Sequence, residues 1–290
     1  MALKRVKLGR DPFAGLPRVL SRLFFALFAV QYAIVCARLW PGIAPFGQAR
    51  WPEGLLVVLA TGATLAALSR QLPIQNVMLA SIIIAVIAGA AQSLGALTGI
   101  PFGPYVYTER IGQQLFHPLP WAVPMVWIVA VINSRGAARL ILRPCRQSRN
   151  YGLWLIGLTA LLVVAFDLGL EPFATTAKRY WFWHPTKIPF DWYSTPLVNF
   201  FGWAVIALLI LAFATPALIN KRPVKFPPDY YPLALWLMLD TLFLTAAVLS
   251  RLWCAAAVLL VLGLLSGGMA LFGTWSVRSA KNVERKERGA

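Results

Sequence analysis

Between Arg70 and Glu109 the chain carries no charged residue, and the same holds for 150–166, 192–220 and 252–277. Apolar runs of this length exceed the ~18–20 residues that cross the hydrocarbon core of a bilayer as a helix. In lipid a backbone must satisfy its own hydrogen bonds, so the spanning elements of such a chain are helices. Composition agrees: 59% of the residues are hydrophobic, mean hydropathy is +0.68, and only 13% are charged, about half the charged share of a soluble domain. The net charge of +17 would suggest a nucleic-acid partner in a soluble protein. Here the basic residues gather between apolar runs, where their partners are anionic lipid headgroups, and no nucleic acid is expected.

The hydropathy pattern predicts an all-α, polytopic integral membrane bundle of about eight transmembrane helices: 18–39, 54–68, 74–96, 120–138, 152–170, 197–219, 231–249 and 252–275. The whole chain, 1–290, reads as a single membrane domain, with a basic N-terminus (1–17) and a basic tail (276–290) flanking the bundle. Helix two is short for a span, which suits a tilted or partly buried helix. Only Ser250 and Arg251 separate the last two helices, so these form a tight antiparallel pair. No internal repeat or low-complexity segment stands out.

Counting Lys and Arg by loop orients the bundle. With the N-terminus inside, the inner segments hold Lys4, Arg5, Lys7, Arg10, Arg18, Arg22, Arg70, Arg135, Arg139, Arg143, Arg146, Arg149, Lys221, Arg222, Lys225, Arg278, Lys281, Arg285, Lys286 and Arg288. The outer segments hold Arg38, Arg50, Arg110, Lys178, Arg179, Lys187 and Arg251. Twenty against seven, alternating correctly through eight spans, predicts both termini on the cytoplasmic side of the cell membrane. The N-terminal region resembles a signal peptide, but its apolar stretch runs on into Gln31 and Arg38 without a small-residue cleavage site, so it reads as an uncleaved anchor.

Cys36, Cys145 and Cys254 have no ligand-like spacing. Cys36 and Cys254 both fall near the outer face, where a disulfide is conceivable. His117 and His184 lie in separate outer loops without clustered Cys or carboxylate companions, so no metal site is expected.

Two outer loops carry the chemistry-bearing residues. In the first, Gly99, Pro101, Gly103 and Pro104 break helix three and impose turns. Tyr105 and Tyr107 then alternate, which places both phenols on one side of an extended backbone, with Glu109 just beyond. The second opens with Asp167 and Glu171, four apart and therefore on one helix face near the outer end of helix five. It continues through Trp181, Trp183, Asp191, Tyr193 and Pro196 to Asn199 and Trp203, again four apart. Aromatic residues alone would read as membrane-interface anchors. Asp167, however, lies inside an otherwise apolar helix, where a carboxyl group is costly unless it faces a cavity or a partner. In that setting the neutral form is favoured, as a general acid requires. Asp240, near the middle of helix seven with Trp236 one turn away, is a second buried acid. Three roles fit it, namely catalysis, a proton relay or a structural hydrogen bond to helix three or four, and its depth away from the outer loops favours the structural one. Gln92 and Asn133 read most simply as polar contacts between helices.

The segment Thr98 to Glu109, with Gly112 and Leu115 behind it, resembles the hallmark loop of the carotenoid biosynthesis membrane proteins, a family that includes carotenoid hydratases of the bisanhydrobacterioruberin hydratase type. The second segment is similar as well: Asp167, Glu171-Pro172, Trp181, Trp183, Tyr193, Pro196, Asn199 and Gly202-Trp203. The likeness covers roughly 65 residues in two blocks, in the same order and between the same helices. Two departures are visible. Gln92 stands where the family commonly has an acid, and Tyr193-Ser194-Thr195-Pro196 replaces the usual Tyr-Gly-x-Pro.

The resemblance implies addition of water to the terminal double bond of an acyclic carotenoid end group. Such chemistry begins with protonation to a tertiary carbocation, which water then traps; it requires a carboxylic acid, and aromatic faces stabilise the cation. No redox or metal cofactor is implied. On this reading Asp167 is the proton donor, Glu171 or Glu109 positions water, Tyr105, Tyr107, Trp181 and Trp183 line the cation, and Asn199 orients an acid or the water. Tyr193 and Trp203 complete the substrate-binding set. The same cation can instead lose a proton, so end-group cyclisation or isomerisation is a second enzymatic reading. A transporter or a non-catalytic scaffold are readings of a different class. The expected partners are the lipophilic substrate in the bilayer, anionic lipids at the cytoplasmic face, and other carotenoid-pathway enzymes.

Overall fold

In the computed structural model, residues 15–43, 46–47, 49–186, 190–219 and 227–289 are described, with side chains to 279. The basic residues at 4–10, Lys187, the three at 221–225 and the charges of the tail from Lys281 lie outside the described side chains. Eight helices follow in chain order: α1 Leu16–Ala37, α2 Trp51–Leu68, α3 Ile74–Thr98, α4 Ala122–Ile141, α5 Tyr151–Pro172, α6 Leu197–Ala214, α7 Tyr231–Leu249 and α8 Trp253–Gly289. The α7 bounds coincide with the sequence reading. Helix α6 ends five residues sooner than expected, and α8 continues past Trp275 through the basic tail.

Seven of the eight are long and apolar enough to cross a membrane. The eighth, α4, falls short because Asn133, Ser134, Arg135 and Arg139 interrupt it. This helix is also the centre of the bundle, packing against α2, α3, α5, α7 and α8. Fifteen of its twenty residues are buried, against four of twenty-two in α1. The polar residues of α4 therefore meet protein rather than lipid: the Asn133 amide donates to Thr64 Oγ1 on α2 at 2.8 Å, tying the two helices together. Such residues are tolerated at membrane depth when they face the bundle interior.

Short strands decorate one end of the bundle. In the α3–α4 connection lie β1 (Tyr105–Tyr107), β2 (Gln114–Phe116) and β3 (Leu119–Pro120). In the α5–α6 connection lie β4 (Trp181–Trp183), β5 (Asp191–Trp192) and β6 (Thr195–Pro196). Strands β1 and β4 pair antiparallel, setting Tyr105 opposite Trp183 and Tyr107 opposite Trp181. The two long connections are thereby clasped together. Phe102 locks the α3 side of this clasp: it sits where a Cβ on Gly95 of α3 or Gly202 of α6 would approach its ring within 2.6 and 2.8 Å. Only glycine at both positions leaves room for that wedge.

Candidate active site

Strand alternation decides which aromatic residues face inward. With β1 and β4 extended and paired, Tyr105, Tyr107, Trp181 and Trp183 share the face toward the bundle, while Val106 and Phe182 are exposed on the other. The inward face covers a cavity of about 1180 Å³, above the usual ~300–1,000 Å³ of small-molecule sites. Charged and amide side chains surround its loop end: Arg50, Glu53, Glu109, Arg110, Gln113 and Gln114. Toward the bundle its wall is aromatic and aliphatic, with Trp127, Phe166, Phe173, Trp203 and Phe243 among the lining residues. Trp127 and Trp203 stack nearly parallel, with centroids 4.0 Å apart. Glu53 anchors the loop end by accepting from Lys178 Nζ at 2.6 Å and Arg38 Nε at 3.2 Å.

Glu171 sits at this cavity's wall and is nevertheless buried, because four donors enclose its carboxyl group. The indole N–H groups of Trp181 (3.0 Å) and Trp183 (2.9 Å) and the Thr195 hydroxyl (3.0 Å) all donate to Oε2. The Asn199 amide donates to Oε1 at 3.2 Å. Each donor comes from an element with a local reason to be there. The tryptophans alternate along β4. Thr195 follows the two-residue turn of the β5–β6 hairpin, in which Tyr193 and Ser194 both have positive φ, 50° and 73°. Two consecutive left-handed residues are the signature of a tight hairpin turn. Asn199 lies in the first turn of α6, just after Pro196.

One helical turn earlier on α5, Asp167 is fully buried behind Glu171. Asn199 bridges the two acids, donating to Asp167 Oδ2 at 2.7 Å. The other oxygen, Asp167 Oδ1, is buried without a hydrogen-bond partner among the described residues, an uncommon and costly state for a carboxyl oxygen.

Gln92 enters the same site. Rather than joining two helices as expected, it accepts through Oε1 from the Tyr105 hydroxyl (2.8 Å) and the Tyr107 hydroxyl (3.0 Å), and its side chain lines the cavity. Burial pushes both phenols above their ordinary range, and the nearby Glu171 carboxyl adds to the effect. They stay neutral donors.

Several expected site residues lie elsewhere. Tyr193 does not line the cavity: its left-handed turn conformation carries the ring away, and its hydroxyl accepts from Ala255 N at 3.2 Å at the start of α8. Asp240 was expected to be bonded to α3 or α4, and the contact seen is with α8 instead. Its carboxyl oxygen packs against α8, 2.7 Å from where a Cβ on Gly263 would stand. Glu109 lines the cavity at its loop end, remote in sequence from the Asp167–Glu171 pair, and its backbone carbonyl accepts from Arg50 at 2.8 Å. All three cysteines are free. Trp127, Phe173 and Phe243, which line the cavity, were not singled out by sequence. Inside apolar helices nothing distinguishes an inward aromatic from one packed against a neighbour.

The chain is thus a polytopic membrane helix bundle with a large, mostly apolar cavity, two buried acids at one end of it and aromatics around them, an arrangement that fits a lipophilic molecule from the bilayer. The chain belongs to the carotenoid biosynthesis protein family, whose model matches residues 53–266. It is similar to bisanhydrobacterioruberin hydratase of Haloarcula japonica, 28% identical over 125 residues. The aligned stretch spans 42% of this chain and 40% of that relative. No solved structure matches.

Proposed function

We propose that this protein hydrates the terminal double bond of an acyclic carotenoid end group. One observation carries the reading: a carboxyl group, Glu171, stands at the wall of an apolar cavity, ringed by indoles and backed one turn away by a second buried acid. A similar protein that is named a hydratase supports it.

Two buried carboxyl groups this close cannot both carry charge at modest cost. The donors are distributed unequally: four on Glu171, one on Asp167, with Asp167 Oδ1 unoccupied. A single proton shared by the pair fits that pattern, and it belongs to the pair rather than to either residue. Glu171 is the member that meets the cavity, so the proton is delivered there, with Asp167 as its reservoir. This revises the simpler assignment of Asp167 as the donor itself.

In the reaction the alkene π pair takes the proton, leaving a tertiary carbocation. Trp181, Trp183 and the two phenol rings present their π systems to it, worth ~2 kcal/mol or more each when desolvated. Water reaches the cation from the polar loop end, past Glu109 and Gln113. Its oxygen forms the new C–O bond, and its surplus proton returns to the acid pair. The tyrosine pair held by Gln92 orients the water.

Expression in bacteria engineered to accumulate lycopene, followed by mass analysis of the extracted pigments, tests this. A product heavier by one water, absent from Asp167→Asn and Glu171→Gln controls, is the expected result. A pigment of unchanged mass and altered retention would replace hydration with cyclisation or isomerisation. No product from lycopene or from longer acyclic carotenoids would remove the enzymatic reading in favour of transport or a scaffold.

A further inference from the structure

Beyond the carotenoid cavity, α4 carries a second set of unusual residues near its other end. Two turns beyond Trp127, which lines the cavity, Arg135 and Arg139 are four apart and so share one helix face, and Arg143 follows just past the helix end. With Arg146, Tyr151 and Asp229 they wall a separate, smaller cavity of about 70 Å³, several times the room one water needs.

The charges in this wall do not balance. Arg135 is 7% exposed, and among the described residues no hydrogen bond or ion pair reaches its guanidinium. Arg139 donates to Gln71 Oε1 at 2.9 Å, a neutral acceptor. The single carboxylate of the wall, Asp229, is already engaged. It accepts from Gln71 Nε2 at 2.8 Å and from the Tyr231 backbone N–H at 3.1 Å, and it pairs with Arg70 at 3.5 Å. Three guanidinium groups, with the exposed Arg146 at the rim, thus border a small space in which, among the described residues, no carboxylate is left free to pair with them. A buried charge without a partner is strongly disfavoured, and planar guanidinium forks match phosphate oxygens two at a time.

We infer that this pocket is a binding site for a phosphate group, held by Arg135, Arg139 and Arg143 with Arg146 at its rim. Its position at one end of a membrane bundle makes the phosphodiester of an anionic lipid headgroup one source. Soluble inorganic phosphate is the other. The site is independent of the carotenoid cavity and of the reaction proposed there.

The test measures thermal unfolding of the detergent-purified full-length protein. Additions are dioleoylphosphatidylglycerol, dioleoylphosphatidylcholine or inorganic phosphate, each on the wild-type chain, Arg135→Gln and Arg143→Gln. A saturable rise of roughly 5–10 °C in the wild-type midpoint with phosphatidylglycerol, smaller by more than half in both variants, is expected for a headgroup site. Phosphatidylcholine, whose phosphate charge is cancelled within its own headgroup, should give little. The same variant-sensitive rise with inorganic phosphate alone would support the pocket and assign the soluble source. Arg143→Gln, half-buried at the wall, keeps the test valid if Arg135→Gln fails to fold. No rise with either anion, or an equal rise in wild type and Arg143→Gln, overturns the proposal.

Discussion

The Asn199 side-chain amide donates to Asp167 Oδ2 at 2.7 Å while lying 3.2 Å from Glu171 Oε1. One neutral group from α6 therefore holds two acids from α5 in fixed relation. Asn199→Leu keeps the volume and removes the donor. A hydrogen bond to a charged group is worth about 1.5–3 kcal/mol, so pigment conversion per unit of membrane protein should fall about 10- to 150-fold. Conversion within twofold of wild type would show that the bridge is structural only.

Tyr105 and Tyr107 give the structure an alkaline limit. Burial raises both phenols above their ordinary range, so the folded state holds these protons more tightly than the unfolded chain does. The stability this contributes is fully present below pH ~10, where an exposed tyrosine begins to ionise, and is lost as pH rises further. Unfolding midpoints measured from pH 8 to 11 should decline at the top of the range. The decline should be shallower in Tyr105→Phe/Tyr107→Phe, whose absolute stability is lower because Gln92 loses its donors.

Ser194 occupies a left-handed conformation, φ 73°, in the hairpin that delivers Thr195 to Glu171. A side chain costs roughly 1–2 kcal/mol there, and glycine does not. Ser194→Gly should raise the thermal midpoint of the purified protein by a few degrees and leave pigment conversion unchanged. A lower midpoint would mean that the serine side chain compensates for its backbone.

Cys145 is exposed just beyond the arginine-bearing end of α4. Charge counting puts that end in the cytoplasm. In cells carrying a chain with Cys36 and Cys254 replaced by serine, Cys145 should react with a membrane-permeant maleimide and resist an impermeant one. Equal reaction with both reagents would reverse the orientation.

Run length and charge spacing are strong signals, and they made eight helices legible, one of them to the residue. That the two phenols share a face was legible too, since alternate residues of a strand point the same way; which face turns inward was not. What the sequence conceals is the direction in which an apolar residue points. Phe200 is 9% exposed and Phe201 71%, yet lipid and protein interior accept either ring equally. Trp127 was invisible for that reason. The contact of Asp240 with α8 was not foreseen, because depth along a helix says nothing of azimuth. Tyr193 entered the substrate-binding set through the family resemblance alone, whereas the turn's backbone carries its hydroxyl toward α8. Gln92 was taken as a tie between helices when its partners lie on a strand thirteen and fifteen residues further on.

The central place of α4 also bears on how this protein is made. The helix least suited to lipid is the one most surrounded by other helices, so it cannot settle in the bilayer as an independent span. Helices α2 and α3 are already synthesised when it emerges, but α5, α7 and α8 follow it. Until they arrive, Arg135 and Asn133 lack part of their final enclosure. Biogenesis should therefore hold α4 beside the insertion machinery or its earlier neighbours. Chains truncated before α7 are expected to be cleared by membrane quality control rather than to accumulate as a stable half.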